Sequence, residues 1–180
     1  MRKIIAIIAL VLILAGVNWS IYQKEQHLAT GAITYLKLRP VDPRSLMQGD
    51  YMRLRFELAD KIIAALPKKP IGSSNWRNRH NVDASDGYVV VTLDDKRVAS
   101  FKGLYKEGMT LTTNEMKMQY RVRNGRVKFA TNAFFFQEGT AKIYEAAKFG
   151  EFRVNNKGGL LLATMYDKDL KKLEASSIAH

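Results

Sequence analysis

Two carboxylates and one guanidinium lie within nine residues of one another at Asp42, Arg44 and Asp50. Proline and glycine surround them, so the segment is predicted to be a loop. Such groups can fasten a loop to a sheet, because a carboxylate is costly to bury without a partner. The same groups can also line a pocket for a ligand, and both interpretations stay open. The candidate ligand-binding or partner-binding residues of this segment are Asp42, Pro43, Arg44, Gly49, Asp50 and Tyr51.

Three further carboxylates, Glu57, Glu138 and Glu145, are hypothesised to approach this loop and form an acidic cluster. Paired carboxylates suit general acid–base chemistry or a hard cation. For any one of them, a surface carboxylate among many lysines is the simpler interpretation. The spacing does not require the chemistry, so the sequence predicts no catalytic residue, no metal site and no cofactor.

Several classes of chemistry are excluded or disfavoured by composition. The chain has no cysteine, which excludes a disulfide scaffold, a thiolate zinc site, an iron–sulfur cluster and a cysteine nucleophile. Its three histidines, His27, His80 and His180, are far apart in sequence. No catalytic triad, phosphate loop or dinucleotide motif is found. The sequence therefore favours a protein that is not an enzyme.

The first 22 residues have the length and composition of a membrane anchor. Arg2 and Lys3 precede residues 4–22, a segment of 19 residues that approaches the ~20 needed to span the hydrocarbon core. Trp19 and Tyr22 stand where interfacial aromatic residues anchor a span. A cleaved signal peptide is the alternative, but the small-residue cleavage pattern is poor. The basic start predicts a cytoplasmic N-terminus, an inner-membrane location and an extracytoplasmic, periplasmic body.

The chain is strongly basic, with a formal net charge of +12. Nucleic acid is not the expected partner, because the body is predicted to lie outside the cytoplasm. The excess charge is taken to keep the body soluble and close to an anionic bilayer. One basic and aromatic segment is a candidate for contact with the membrane surface or, equally, a disordered loop; its residues are Lys68, Lys69, Trp76, Arg77 and Arg79.

The remaining residues are predicted to form a mainly β domain, a sandwich or barrel of antiparallel hairpins with one or two short helices. Residues 23–31 form a stalk, 32–173 the domain and 174–180 a tail. Alternation places Met52, Leu54 and Phe56 on one buried face. Asn124 and Gly125 mark a hairpin turn. Strands are predicted at 32–38, 51–57, 87–93, 96–105, 115–123, 126–136, 149–154 and 160–166, and helices at 58–66 and 139–148.

The run GDYMRLRFE at residues 49–57, preceded by PVDPRSL at 40–46, resembles the motif of the GDYXXLXY family. A weaker second region includes FFQEG at 135–139, followed by Tyr144 and Glu145. The resemblance implies a bacterial protein with an N-terminal membrane segment and no assigned biochemical activity. It also implies a multi-spanning membrane protein as partner. The chain departs from the family at Phe56, where the family usually has tyrosine.

Two functional hypotheses follow. The preferred one is a membrane-tethered extracytoplasmic module that is not an enzyme and serves an integral membrane protein, because tethering raises the effective concentration of a weak partner. The alternative is an envelope hydrolase or ligand-binding protein that uses a pocket around Asp42, Arg44 and Asp50.

Overall fold

A long helix followed by three small antiparallel sheets makes up the structure, a computed structural model that describes residues 2–39, 47–48, 51–68 and 82–174. Its helices are α1 (Arg2–Thr30), α2 (Glu57–Ala65) and α3 (Ala141–Tyr144). Its strands are β1 (Ala32–Lys37), β2 (Met47–Gln48), β3 (Tyr51–Arg53), β4 (Ser85–Leu93), β5 (Ala99–Leu104), β6 (Glu115–Arg123), β7 (Arg126–Lys128), β8 (Ala133–Phe135), β9 (Phe149–Val154) and β10 (Leu160–Tyr166). The predicted mainly β fold class is confirmed.

Helix α1 contains the one segment, among the residues described, that is long and apolar enough to cross a membrane, Lys3–Thr30. None of its most apolar 18-residue window is buried. Its last turns pack on β9 and β10, and the His27 Nε2 atom lies 3.0 Å from the Arg153 carbonyl oxygen. A Cβ atom at Gly31 would lie only 2.9 Å from the Arg153 Cβ atom. Glycine therefore permits the close approach where the helix ends and the body begins.

The three sheets have the strand orders β1–β9–β10, β2–β3–β8 and β5–β4–β6–β7. Two isolated bridges join them near the centre, Tyr35 to Val98 and Leu38 to Phe56. Alternate residues of β1 and its extension, Thr34, Leu36 and Leu38, are buried as period two requires. The sheets therefore share one hydrophobic core, in which Phe152 has no exposed surface.

Helix α2 closes this core from one side. It buries Leu58, Ile62 and Ile63 and packs against β1, β5 and β7. Glu57 and Asp60 in its first turn favour the positive end of the helix dipole. The strand predicted over 51–57 is therefore shorter than expected, since β3 ends at Arg53 and the helix begins at Glu57.

Two other predicted elements are shorter than expected. The strand expected over 126–136 divides into β7 and β8, because Leu54 donates its backbone hydrogen bond to the Asn132 carbonyl and draws this segment to β3. The helix expected over 139–148 is a single turn. It cannot continue, because Lys148 already donates to the Tyr166 carbonyl at the start of the β9–β10 pairing.

Candidate functional site

The described half of the recognised motif has one buried side and one outward side. Met52, Leu54 and Phe56 are buried at 2–4% exposure, as alternation predicts. Tyr51 lies on the opposite side, and its ring stands 5.7 Å from that of Phe135 across the β3–β8 pair. The motif therefore contributes both to the core and to the surface.

Among the described residues of the body, Phe135 is the most exposed large apolar side chain, at 73%. Its neighbours Phe134 and Phe136 contact the Tyr144 ring, with centroids 4.9 and 5.2 Å away. These contacts hold the edge strand β8 in place with Phe135 pointing outward. An exposed aromatic ring on a supported edge strand is the kind of anchor that protein interfaces use. We call Tyr51 and Phe135 the aromatic pair.

A cleft of about 320 Å³ lies beside the motif, between α2 and β7. Its basic residues are Arg39, Arg55 and Arg126, and its acid is Asp60. Arg39 and Asp60 form an ion pair of 3.4 Å at the surface, whereas no ion pair of Arg55 or Arg126 is found in the described part of the chain. The cleft is thus suited to a carboxylate or another anion.

The predicted carboxylate and guanidinium pocket falls on Asp42, Pro43, Arg44, Gly49 and Asp50, which lie outside the described residues. Lys69, Trp76, Arg77 and Arg79 of the predicted membrane-surface segment lie outside them too. Lys68 is described and exposed. The predicted pocket and the predicted membrane-surface contact therefore stay predictions.

The three glutamates of the hypothesised cluster are all described. Glu57 pairs with Lys37 at 3.0 Å. Glu138 lies in a turn before α3 and Glu145 follows α3, and both are exposed. Within residues 2–39, 47–48, 51–68 and 82–174, no three acidic or histidine side chains are grouped so that they could hold a metal ion. The cation-binding form of the hypothesis therefore has no such group to support it there.

Sequence reasoning missed a buried polar network on β9 and β10. Glu151 is only 4% exposed; it accepts a 2.6 Å hydrogen bond from the Tyr166 hydroxyl and a 2.9 Å one from Arg153 Nε. The Tyr35 ring packs edge-on against Tyr166 at 5.0 Å. Alternation alone predicts Glu151 on the outward face, opposite the buried Phe152. The sequence signal for this network was an acidic residue between Gly150 and Phe152 in an otherwise hydrophobic hairpin.

This network predicts a particular response to alkaline pH. Burial first, and then the hydrogen bond to Glu151, raise the pKa of the Tyr166 phenol above its ordinary value of 10.0. Above about pH 10 the unfolded chain therefore loses the Tyr166 proton while the folded protein keeps it, and stability falls. Tyr166→Phe removes this loss, so its stability deficit against wild type should narrow as pH rises from about 9 to about 11.

Denaturant unfolding of the full chain in an uncharged detergent measures this gap at each pH. Tyr105→Phe is the matched control, since no hydrogen bond from its hydroxyl to a carboxylate occurs among the residues described. If the difference in unfolding free energy between Tyr166→Phe and wild type stays constant up to about pH 11, the phenol does not hold its proton more tightly in the folded protein.

Comparison with known proteins gives one match. No curated protein and no solved structure is similar to the chain. The family model described as GDYXXLXY protein matches residues 13–165, which include the end of the apolar helix, the motif strand, the aromatic pair and Glu151. Because the match covers most of the 180 residues, the chain belongs to the GDYXXLXY family.

Proposed function

We propose that the chain is a membrane-tethered, extracytoplasmic module that is not an enzyme and binds an integral membrane protein. In this proposal residues 1–22 are an uncleaved anchor, 23–31 a stalk and 32–173 the periplasmic binding domain of a bacterial protein. The observation that carries the proposal is the exposed apolar helix that continues without a break into the body.

The helix is difficult to accommodate in water. Every large apolar side chain described between residues 4 and 22 is more than 50% exposed. Each such side chain gains about 1.5–3 kcal/mol when it leaves water, and a helix satisfies its own backbone groups in lipid. A bilayer therefore provides the burial that the body does not.

A signal sequence meets the same criteria of length and composition, so retention of the helix needs separate support. The helix does not end with the apolar run but continues to Thr30, and His27 and Gly31 pack on Arg153 of the body. These contacts between the helix and the body support the proposal that the leader is not cleaved. The basic residues Arg2 and Lys3 before the span favour a cytoplasmic N-terminus, and a long basic domain can still cross.

The aromatic pair is the proposed contact for the membrane partner. Phe135 offers an exposed ring, and the cleft beside the same motif offers Arg55 and Arg126. We expect the partner to present apolar and acidic groups to this surface. A modest interface suffices, because both proteins are confined to the same membrane.

The test is cross-linking in intact cells, followed by gentle detergent extraction and purification of the full chain through a C-terminal tag. We expect a polytopic protein to be recovered with wild type and lost with Phe135→Asp. Met109→Asp is the control, because Met109 is also an exposed apolar side chain at 38%. Equal recovery with both variants, or no membrane protein with wild type, would contradict the proposal. A C-terminal reporter active only in the cytoplasm would contradict the orientation.

A further inference from the structure

A second cavity lies where the stalk meets the body. It has a volume of about 330 Å³ and is lined by Lys24 from α1 and by Arg121 and Lys128 from β6 and β7. Ala130 and Leu161, both partly exposed, supply an apolar wall. Because the last turns of α1 pack on β9 and β10, the helix and the body close around one space. We call this space the stalk cavity.

The three cations of the stalk cavity, Lys24, Arg121 and Lys128, form no ion pair with the residues that the structure describes. No acidic residue of the described chain lines the cavity. Asp86 faces Arg121 across the β4–β6 ladder, but it is engaged by Arg123 at 2.7 Å. The positive charge in the cavity is therefore available to an anion from outside the chain.

The strand register concentrates that charge. Arg121 and Lys128 are directly opposite each other in the β6–β7 pair, on the side away from the buried Val122. Like charges directly opposite on neighbouring strands are destabilising. A bound anion would remove this repulsion, so the folded body itself favours an anionic ligand here.

The position of the cavity along the helix indicates where the anion comes from. Lys24 and His27 follow Tyr22, the last residue of the apolar run, by roughly 3 and 7.5 Å at 1.5 Å per residue. The polar headgroup layer of a bilayer is several ångströms thick on each side. This inference rests on the proposal that α1 spans the membrane. With α1 in that position, the stalk cavity lies at the depth of the lipid phosphates.

We propose that the stalk cavity binds the phosphate of an anionic phospholipid headgroup. Lys24, Arg121 and Lys128 surround the phosphate oxygens, for which arginine and lysine are the usual protein ligands. Ala130 and Leu161 then contact the glycerol and the first carbons of the acyl chains. This combination of basic and apolar walls suits a lipid better than free phosphate and fixes the body against the membrane surface.

The test compares lipid retention by the full chain. Wild type and the variant Lys24→Gln/Arg121→Gln/Lys128→Gln are placed in nanodiscs of phosphatidylcholine with and without phosphatidylglycerol, and retained lipid is counted by native mass spectrometry. The control variant, Lys106→Gln/Lys142→Gln/Lys148→Gln, removes three exposed lysines outside the cavity. We expect phosphatidylglycerol affinity to fall roughly fivefold for each cavity cation removed and to change little in the control.

A second arm titrates inorganic phosphate into wild type in lipid-free detergent and records its binding by 31P NMR. Failure of phosphate to bind supports a lipid ligand, and tight phosphate binding would overturn it. Equal phosphatidylglycerol retention by all three proteins would also overturn the proposal. Unchanged melting temperature shows that the variants fold. Alkaline extraction of membranes separates the hypotheses, because release of wild type defeats the anchor itself, whereas a retained chain without lipid preference defeats only this site.

Discussion

Replacing Glu151 with alanine is expected to lower the free energy of unfolding by about 3 kcal/mol. The carboxylate is 4% exposed and accepts hydrogen bonds from both Arg153 and Tyr166. Its removal leaves a guanidinium and a phenol without the acceptor that compensates their partial burial. Denaturant unfolding of the full chain in an uncharged detergent measures the loss.

The matched control for this change is Glu107→Ala, which removes an exposed carboxylate from a turn. Surface substitutions of this kind usually alter stability by less than about 0.5 kcal/mol. Glu151→Gln should fall between the two, because the amide keeps one acceptor oxygen but loses the charge. If Glu151→Ala and Glu107→Ala had equal effects, the network would contribute nothing to the fold.

The effect of Glu151→Ala should extend to the stalk. The Arg153 carbonyl contacts His27, and the Tyr35 ring on Tyr166 holds β1, the strand that follows the stalk. Weakening this end of the sheet should therefore expose residues 23–31 to protease more in Glu151→Ala than in Glu107→Ala. Limited proteolysis with mapping of the cut sites measures this difference.

Local patterns predicted the fold where neighbours in sequence are neighbours in space. Period two placed Met52, Leu54 and Phe56 in the core, and the hairpin of β9 and β10 matches the predicted strands over 149–154 and 160–166. Helix α1 ends at Thr30, within the predicted stalk and directly before Gly31. These features depend on spacing and turn residues, which a single sequence displays.

What depends on distant segments could not be predicted. Glu151 has the alternation of an outward residue, yet it is buried, and its partner Tyr166 lies 15 positions away on the neighbouring strand. The stalk cavity joins Lys24 to Arg121 and Lys128, about a hundred positions away along the chain. No local pattern predicts that these residues lie close together, because their proximity depends on how α1 packs on the body.

The second large effect is expected from Phe56→Ala, a loss of about 3–5 kcal/mol. Phe56 is 4% exposed, and its ring packs edge-on against Phe129 at 5.9 Å and Phe152 at 5.3 Å. Truncation opens a cavity at the point where the Leu38–Phe56 bridge joins two sheets. Phe56→Leu keeps most of the volume and should cost less than half as much as the alanine change.

Phe135→Ala is the counterpart that distinguishes packing from binding. Its ring is 73% exposed, so its loss should change the free energy of unfolding by less than about 0.5 kcal/mol while weakening capture of the membrane partner. Phe56→Ala should lower the free energy of unfolding. Any loss of partner capture by this variant should be proportional to the fraction of the protein that is unfolded. If Phe135→Ala destabilised the body as much as Phe56→Ala, its ring would belong to the core. If it left capture intact, the partner would bind elsewhere on the body.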